Sequence, residues 1–439
     1  MIAAWRRQYE SSADTCPITS FSPVCSMAVL RYGNNSSVRL EFAEGAALAE
    51  VGVPRGQPLA DLGAATIAAL SAPIDYPALT QCTTPGDRVV VALDRGIPQV
   101  AEVTAAVVKA LVKAGVDADG ITVLESQAGR DAGVGDPRRL LTAALRQRVA
   151  LAVHDPDDRK ELAYLAADKA GEPILINRAL HEADVVLPVG CLRGEQSAGY
   201  FNIHGVVYPT FSNAKTLQRF RAIASLNGQG ARRRELVADV DHVAWLLGIT
   251  LTVQVVPAGG EHVLQVLAGL SDSVRRRGQD QYHAAWDSPV QRRADLVVAA
   301  IEGGPGQQTW ENLGRALHVA ENFVEEGGAI ALCCELSVPP GPAMQHLAGE
   351  SSREAALRHV AKKRPVDTLA AAQLAHALDR SKVYLLSQLD ASVVEDLEMI
   401  PIDGTDELAR LAQKHPSCIL LSNAANVTVV EQKGMTDDG

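Results

Sequence analysis

The sequence predicts an α/β protein of two α/β domains, with parallel or mixed sheets and a ligand cleft between the domains. The first observation is a set of short apolar runs, such as VVVAL and VVLPVG, which are typical of strands buried in a parallel sheet. The second is their alternation with segments of helical periodicity at the spacing of βαβ units. The third is the length of 439 residues, which exceeds what one hydrophobic core usually organises.

The first half of the chain supplies the elements of one βαβ series. Residues 38–42 alternate in polarity like a strand, and a short helix within 66–79 ends at a proline. A turn and buried strand at 85–94, a helix at 100–114 and a strand at 121–126 form a βαβ unit with a right-handed crossover. The remaining predicted elements are a helix at 139–152 and strands at 172–177, 184–190 and 250–257.

The second half repeats this pattern after a polar segment. Residues 275–290 are rich in arginine and contain a proline, which predicts a hinge between domains. A strand and glycine turn at 294–306 precede a helix at 309–324. Further predicted elements are a strand at 327–336, a helix at 366–379 and strands at 382–389 and 418–423. The predicted organisation is a disordered tail at 1–37, an amino-terminal domain at 38–287, a carboxyl-terminal domain at 288–426 and a second tail at 427–439.

Composition excludes several classes of partner. A net charge of -11 argues against a nucleic-acid surface, because phosphate binding needs a basic face. No apolar run has the length of a membrane span, so no membrane partner is expected. The seven cysteines form no CxxC pair and no disulfide or zinc pattern, which predicts a reducing, cytoplasmic location.

Four polar residues are candidates for substrate or cofactor binding. Asp94 and Arg95 come directly after VVVAL, and α/β proteins bind ligands beyond the carboxyl ends of their strands. A loop ion pair explains the same two residues equally well. Asn312 and Arg315 lie three residues apart on one face of the predicted helix, where the fork of Arg315 suits a carboxylate or a phosphate.

The loop after the VVLPVG strand contains two candidate catalytic residues. Glu195 has a carboxylate that could act as a base or as a metal ligand, and His204 has an imidazole that could bind a metal or a ligand. The alternatives, which we favour, are a solvated loop glutamate and a histidine that makes ordinary loop hydrogen bonds. No set of His, Cys, Asp and Glu has the spacing of metal ligands, so no metal-binding residue is predicted.

Several segments, taken in order over about residues 38–425, resemble the nickel-pincer lactate racemase family. They include PGDRVVVALDRGIP, EPILINRALHEADVVLPVG and AIEGGPGQQTWENLGRALHVAENFV. The resemblance implies a nicotinate-derived nucleotide tied to a lysine, with nickel held through carbon, two sulfurs and a histidine. It also implies transfer of a hydride from C2 of a 2-hydroxy acid while a histidine takes the hydroxyl proton.

On this resemblance, the chain departs from the family at the residues that carry the chemistry. Glu195 stands at the position of the metal histidine, and Gly205 stands at that of the cofactor-bearing lysine. Arg130 or a neighbour replaces a histidine after the third strand, and is a third candidate catalytic residue. Asn312 and Arg315 replace a glutamine and a lysine. Because attachment needs a nucleophilic amine, we do not expect covalent attachment of the nickel-pincer nucleotide here.

Three functional hypotheses follow. The first is an isomerase, a racemase or epimerase of 2-hydroxy acids. The second, which we favour, is a divergent paralogue with lost or altered catalysis that binds a small hydroxy acid or a nucleotide in the cleft. The third is a different enzyme that uses Asp94, Glu195 and Arg315. The sequence makes no prediction of the oligomeric state.

Overall fold

Two six-stranded sheets form the framework of the protein, and a computed structural model describes residues 27–42, 46–131, 133–350 and 352–430. The strands are β1 Met27–Tyr32, β2 Ser36–Glu41, β3 Ala47–Val51, β4 Val89–Leu93, β5 Ile121–Ser126, β6 Ala150–His154, β7 Leu162–Ala167, β8 Pro173–Asn177, β9 Val185–Cys191, β10 Leu251–Pro257, β11 Val263–Leu270, β12 Asp287–Pro289, β13 Ala294–Ala300, β14 Val324–Cys333, β15 Lys382–Leu386, β16 Ile400–Pro401, β17 Ser417–Leu421 and β18 Thr428–Val430.

Helices connect and cover these strands. The α-helices of the described residues are α1 Leu62–Ser71, α2 Leu79–Cys82, α3 Val100–Lys113, α4 Gln127–Asp131, α5 Ala143–Arg148, α6 Arg178–Glu182, α7 Ala214–Phe220, α8 Ala231–Leu246, α9 Ser271–Trp286, α10 Trp310–Ala320, α11 Pro342–Gly349, α12 Arg353–Lys363, α13 Thr368–Arg380, α14 Ala391–Asp396 and α15 Thr405–Gln413. Short 3-10 turns lie at Ala118–Gly120, Ile203–Val206, Ile223–Leu226 and Ala424–Asn426.

The first sheet is mixed and has the order β11-β10-β9-β4-β5-β6. Its β10–β11 pair is antiparallel and its other pairs are parallel, with Val91 of β4 opposite Val123 and Leu187. Val107 and Leu111 of α3 are fully buried in the core of one face, and each contributes about 1.5–3 kcal/mol by leaving water. The other face is covered by α8 and by the chain around 201–211. We call this sheet and its helices the first lobe.

The second sheet is parallel throughout, in the order β16-β15-β14-β13-β17-β3. Helices α10 and α13 pack on one face, where Trp310, Leu317 and Leu374 are buried. The β1–β2 hairpin and α15 cover the other face. Strand β3 forms an edge of this sheet although it precedes the whole first lobe in sequence. We call this sheet and its helices the second lobe.

The predicted fold class is confirmed, whereas three local predictions differ from the structure. Residues 27–37, assigned to a tail, form β1 and the start of β2. Within the helix predicted at 139–152, only α5 is helical, because the following residues pair with β5 as β6. The predicted hinge at 275–290 lies mostly in helix α9, which buries Tyr282 and Trp286 and leaves its arginines outside the core.

The ends of the predicted organisation are only partly described. Residues 1–26 and 431–439 lie outside the described residues. From the predicted carboxyl-terminal tail, β18 pairs with β12. The domain boundaries at 38–287 and 288–426 stay a prediction, and the pairing of β3 shows that the order along the chain does not match the order of the lobes. Within the described part of the chain, no helix is long and apolar enough to cross a bilayer.

Candidate functional site

A cavity of about 380 Å³ lies between the two lobes. The first lobe lines it with residues at the carboxyl ends of β4, β5, β6 and β9 and with the chain from Ala198 to Arg221. The second lobe contributes Glu311 of α10 and Leu369 and Gln373 of α13. This position, at strand ends and between lobes, is where α/β proteins bind ligands, and the volume is typical of small-molecule sites.

Four of the lining residues form an ion-pair cluster: Asp94, Arg95, Arg193 and Glu311. The Asp94 carboxylate lies 3.1 Å from Nη1 of Arg193 and also accepts a 2.8 Å hydrogen bond from the Arg95 backbone N–H. The Arg95 guanidinium lies 2.9 Å from the Glu311 carboxylate. Since Glu311 belongs to the second lobe, this pair joins the lobes across the cleft. Asp94 and Arg95 are therefore engaged in ion pairs and hydrogen bonds, as the alternative of a loop ion pair predicts. Both residues also line the cavity.

A glycine makes the ion-pair cluster possible. Gly96 follows Arg95 with a φ of +73°, and a Cβ at this position would lie 3.0 Å from Nη2 of Arg193. Nη2 uses that space to donate a 3.0 Å hydrogen bond to the Arg95 carbonyl oxygen. A side chain at position 96 would be strained by the backbone conformation and would crowd the guanidinium.

The charges of the cluster change the pKa of the Glu311 carboxyl group. Burial alone would raise the pKa of Glu311, but the positive charge and hydrogen bond of Arg95 lower the pKa from 4.5 to about 2. The carboxylate is therefore charged at any physiological pH. Glu311 acts in this state as a partner for Arg95 rather than as a proton donor.

Two arginines fix the loop that follows β9. Arg315 of α10 donates two hydrogen bonds to the Ala198 carbonyl oxygen, at 3.0 and 2.8 Å, and a third to Asn312. Arg233 of α8 donates to the carbonyl oxygens of Glu195, Ser197 and Tyr200. Burial, followed by the charge of Arg193, lowers the pKa of Arg315 to about 9. Arg315 thus holds the loop across the lobes, and its donors already have partners.

The predicted catalytic residues do not converge on the cavity. Glu195 is exposed and is absent from the cavity lining, and its carbonyl oxygen, rather than its carboxylate, has the contact with Arg233. Nδ1 of His204 lies 3.2 Å from the Asp241 carboxylate, on the side of α8. Arg130 pairs with Glu125 at 2.9 Å. The catalytic roles of Glu195, His204 and Arg130 stay predictions that the geometry does not bring together.

The predicted binding residues divide into two groups. Asp94 and Arg95 line the cavity, as described above. Asn312 is buried and donates a 2.8 Å hydrogen bond to the Gln307 carbonyl oxygen, and it accepts from Arg315. Asn312 lies on the wall of a smaller pocket behind the ion-pair cluster. A direct contact of Asn312 or Arg315 with a ligand stays a prediction.

Sequence reasoning missed two lining residues that have no polar partner. The guanidinium of Arg221, which directly follows α7, makes no hydrogen bond or ion pair with any described residue, whereas Arg95 and Arg193 each pair with a carboxylate. Oε1 of Gln373 is buried without a donor. Neither residue follows a strand or belongs to a motif. For Gln373, the one signal in the sequence is its spacing of four residues from Leu369, which places both side chains on one face of α13.

A second cavity, of about 320 Å³, shares Asp94, Arg95 and Ser126 with the first. Residues 304–306 of the glycine turn and Gly133 also line it. Glu261 fixes this turn, since its carboxylate accepts a 2.8 Å hydrogen bond from the Gly304 backbone N–H. The ion-pair cluster therefore stands between two compartments of one cleft.

The cavity does not fit the lysine-attached nickel nucleotide that the resemblance implies. No lysine is among the described residues that line it, and Gly205 is part of the wall. The lining histidine is His154, whose Nε2 donates to the Ser212 carbonyl oxygen at 2.8 Å and whose Nδ1 accepts from Asn177 at 3.1 Å. Burial lowers the pKa of His154, which keeps the ring neutral. The described residues contain no group of three or more His, Cys, Asp or Glu arranged for a metal ion.

Comparison with known proteins relates this site to a family. Residues 32–231 match the family described as the lactate racemase N-terminal domain. This segment of the chain is similar to that domain family. Among curated proteins, none matches the chain significantly by sequence.

Solved structures extend the likeness to the whole fold. The lactate racemase apoprotein from Thermoanaerobacterium thermosaccharolyticum superposes with a TM-score of 0.71 at 16% sequence identity, covering 92% of this chain and 100% of that chain. A structural-genomics protein from Thermotoga maritima gives a TM-score of 0.61 at 14% identity, covering 86% of this chain and 99% of that chain. The chain is lactate-racemase-like in domain family and in architecture.

Proposed function

We propose that this protein is a divergent lactate-racemase-like protein that binds a small organic acid between its lobes and does not carry a lysine-attached nickel cofactor. One observation carries the proposal. Gly205, which the resemblance assigns to the position of the anchoring lysine, lines the interdomain cavity. The described residues of the lining include no lysine, and the lining histidine, His154, has both ring nitrogens in hydrogen bonds. An enzyme that lacks all of the groups that carry its chemistry loses the reaction, because those groups supply most of the rate enhancement.

The glycine is not required by packing. A Cβ at Gly205 would meet no atom within 4 Å, and the backbone there does not have a positive φ. The Cβ of a larger residue would therefore fit at this position. The absence of the amine is a difference in chemistry between this chain and the family pattern, and we infer that it changes the function while the fold is kept.

The experiment is a measurement of intact mass and nickel content after co-expression with the enzymes that synthesise the cofactor. The racemase from Thermoanaerobacterium thermosaccharolyticum, prepared in parallel, is the positive control. We expect the wild-type protein to have its unmodified mass and far less than one nickel per chain. Stoichiometric nickel together with a covalent mass increment would overturn the proposal.

A matched variant tests the role of position 205. Gly205→Lys introduces an amine at the cavity wall, and the Cβ of the new side chain has no atom within 4 Å. We expect its thermal stability to match that of the wild type. A mass increment in Gly205→Lys but not in the wild type would show that the cavity still admits the nucleotide and that the missing amine is the reason for its absence.

A racemase or epimerase of 2-hydroxy acids is the second candidate. The observation in its favour is that Asp94 and Arg95, which belong to the segment PGDRVVVALDRGIP that resembles the family, line both compartments of the cleft. Chiral analysis after incubation with each enantiomer of lactate distinguishes the candidates, because only the isomerase produces the opposite enantiomer. A cytoplasmic location remains part of the proposal, supported by the five described cysteines, which are all free thiols.

A further inference from the structure

Arg221 differs from every other arginine that lines the interdomain cavity. It is partly buried at the end of α7, and its guanidinium has no hydrogen bond or ion pair among the described residues. Burial, with the nearby charge of Arg95 second, lowers its pKa, but a guanidinium stays protonated at neutral pH. A partly desolvated cation without a partner is unfavourable in the empty protein, which makes it a site for an anion.

The carboxylates near Arg221 are already engaged by other groups. Glu311 and Asp94 are paired with Arg95 and Arg193. Asp367, whose negative charge also acts on Arg221, accepts hydrogen bonds from the backbone N–H groups of Ala343 and Met344. An anionic ligand can therefore pair with Arg221 without displacing a carboxylate of the protein.

The walls near Arg221 are apolar and belong to both lobes. Phe201 and Phe220 of the first lobe lie edge to face with ring centroids 5.0 Å apart, and Leu217 lies beside them on α7. Val366 and Leu369 of the second lobe line the same cavity. Burying the apolar body of a ligand against these walls is favourable, because it removes apolar surface from water. A second charged group would lose hydration there.

We infer that Arg221 receives the carboxylate of a monocarboxylic acid whose apolar body packs on Phe201, Phe220 and Leu369, so that the ligand bridges the two lobes. This inference rests on the proposed function and names its ligand class. A single unpaired guanidinium matches a single carboxylate through two parallel hydrogen bonds. A phosphate would leave oxygens facing the apolar wall, because phosphate sites usually supply several backbone N–H donors.

The test is calorimetric titration with 3-phenylpropionate, with its neutral analogue 3-phenylpropanamide, with lactate and with AMP. The wild-type protein is expected to bind the acid at least about tenfold more tightly than the amide or AMP. Arg221→Gln is expected to lose about tenfold or more in affinity for the acid, and Arg221→Lys to fall between, since lysine keeps the charge without the planar fork. Arg148→Gln, which removes an exposed arginine paired with Asp119, is the matched control and is expected to bind like the wild type.

The outcomes separate this inference from the proposed function. Failure of the wild type to bind 3-phenylpropionate, lactate and AMP alike would refute the acid-binding function itself. Equal affinity of the wild type and Arg221→Gln for the acid would overturn the inference and leave the function standing. Tighter binding of AMP that is lost in Arg221→Gln would replace the carboxylate by a phosphate. Arg221→Lys supplies the comparison if the glutamine variant does not fold.

Discussion

Two parts of the interdomain cavity wall differ in how their arginines are paired. In the ion-pair cluster, Arg95 and Arg193 each have a carboxylate within about 3 Å, and one of these pairs crosses between the lobes. Arg221, near this cluster, has no partner of this kind among the described residues. Charges that are satisfied within the protein stabilise the structure, whereas a charge left unsatisfied is available to a ligand. The comparison assigns a structural role to the ion-pair cluster and a role in recognition to Arg221.

The largest expected effect is the loss of the Asp94–Arg193 pair. The side chains of Asp94 and Arg193 are 21% and 15% exposed, so Asp94→Asn leaves a guanidinium largely buried and unpaired. We expect the free energy of unfolding to fall by about 3 kcal/mol, measured by urea denaturation. Glu172→Gln, which breaks an exposed pair with Lys215, should change it by less than about 1 kcal/mol. Equal losses in the two variants would contradict the assignment.

The pair that joins the lobes should contribute less. The side chains of Arg95 and Glu311 are 35% and 24% exposed, and water screens part of their attraction. We expect Glu311→Gln to lower the free energy of unfolding by about 1–2 kcal/mol in urea denaturation, with an unchanged dependence on urea concentration. A stability equal to that of the wild type would show that Arg95 finds another partner and that the lobes do not depend on this contact.

The pH dependence of stability sharpens the same point. Because the pKa of Glu311 is about 2 in the folded protein against an ordinary value of 4.5, its contribution is fully present above pH 4.5 and is lost as the pH falls toward about 2. The difference in unfolding free energy between the wild type and Glu311→Gln should therefore shrink over this range. Urea denaturation at several acidic pH values measures it. A difference that stays constant down to the lowest pH would be inconsistent with an ionised Glu311.

The smallest expected effect is at Arg221. Arg221→Gln removes a partly buried cation that contacts no carboxylate, so nothing is left unpaired. We expect the free energy of unfolding of the ligand-free protein to change by less than about 0.5 kcal/mol, or to rise. Thermal unfolding of the ligand-free protein is the measurement. A loss as large as that of Asp94→Asn would give Arg221 a structural role and remove its contrast with the ion-pair cluster.

Local patterns predict the sheets well, because each central strand is a short apolar run. VVVAL, ITVLES and VVLPVG become β4, β5 and β9, in parallel register. The patterns fail where tertiary pairing overrides them. The arginine-rich segment before β6 has helical character, but the residues that follow it form a strand because they pair with the edge of β5. Helix α9 is polar on most of its surface, and only its packing against β10 and β11 identifies the buried face.

The candidate site is predictable only where it follows a strand. Asp94 and Arg95 are found from their position after β4, which is a local property of the sequence. Arg221 and Gln373 are not, because what distinguishes them is the absence of a partner in three dimensions. The same limit applies to Glu195, whose neighbours in sequence suggest a role but whose side chain is exposed to solvent.

Strand β3 has a consequence for any attempt to divide the protein. The polypeptide begins its described path in the second lobe, passes through the whole of the first, and returns by way of β12. The halves are thus tied by two covalent tethers, which limits twisting of one against the other and leaves a book-like opening as the simplest motion. A shortened gene that starts at residue 288 would encode a sheet with the edge of β17 uncovered, and such an edge invites self-association.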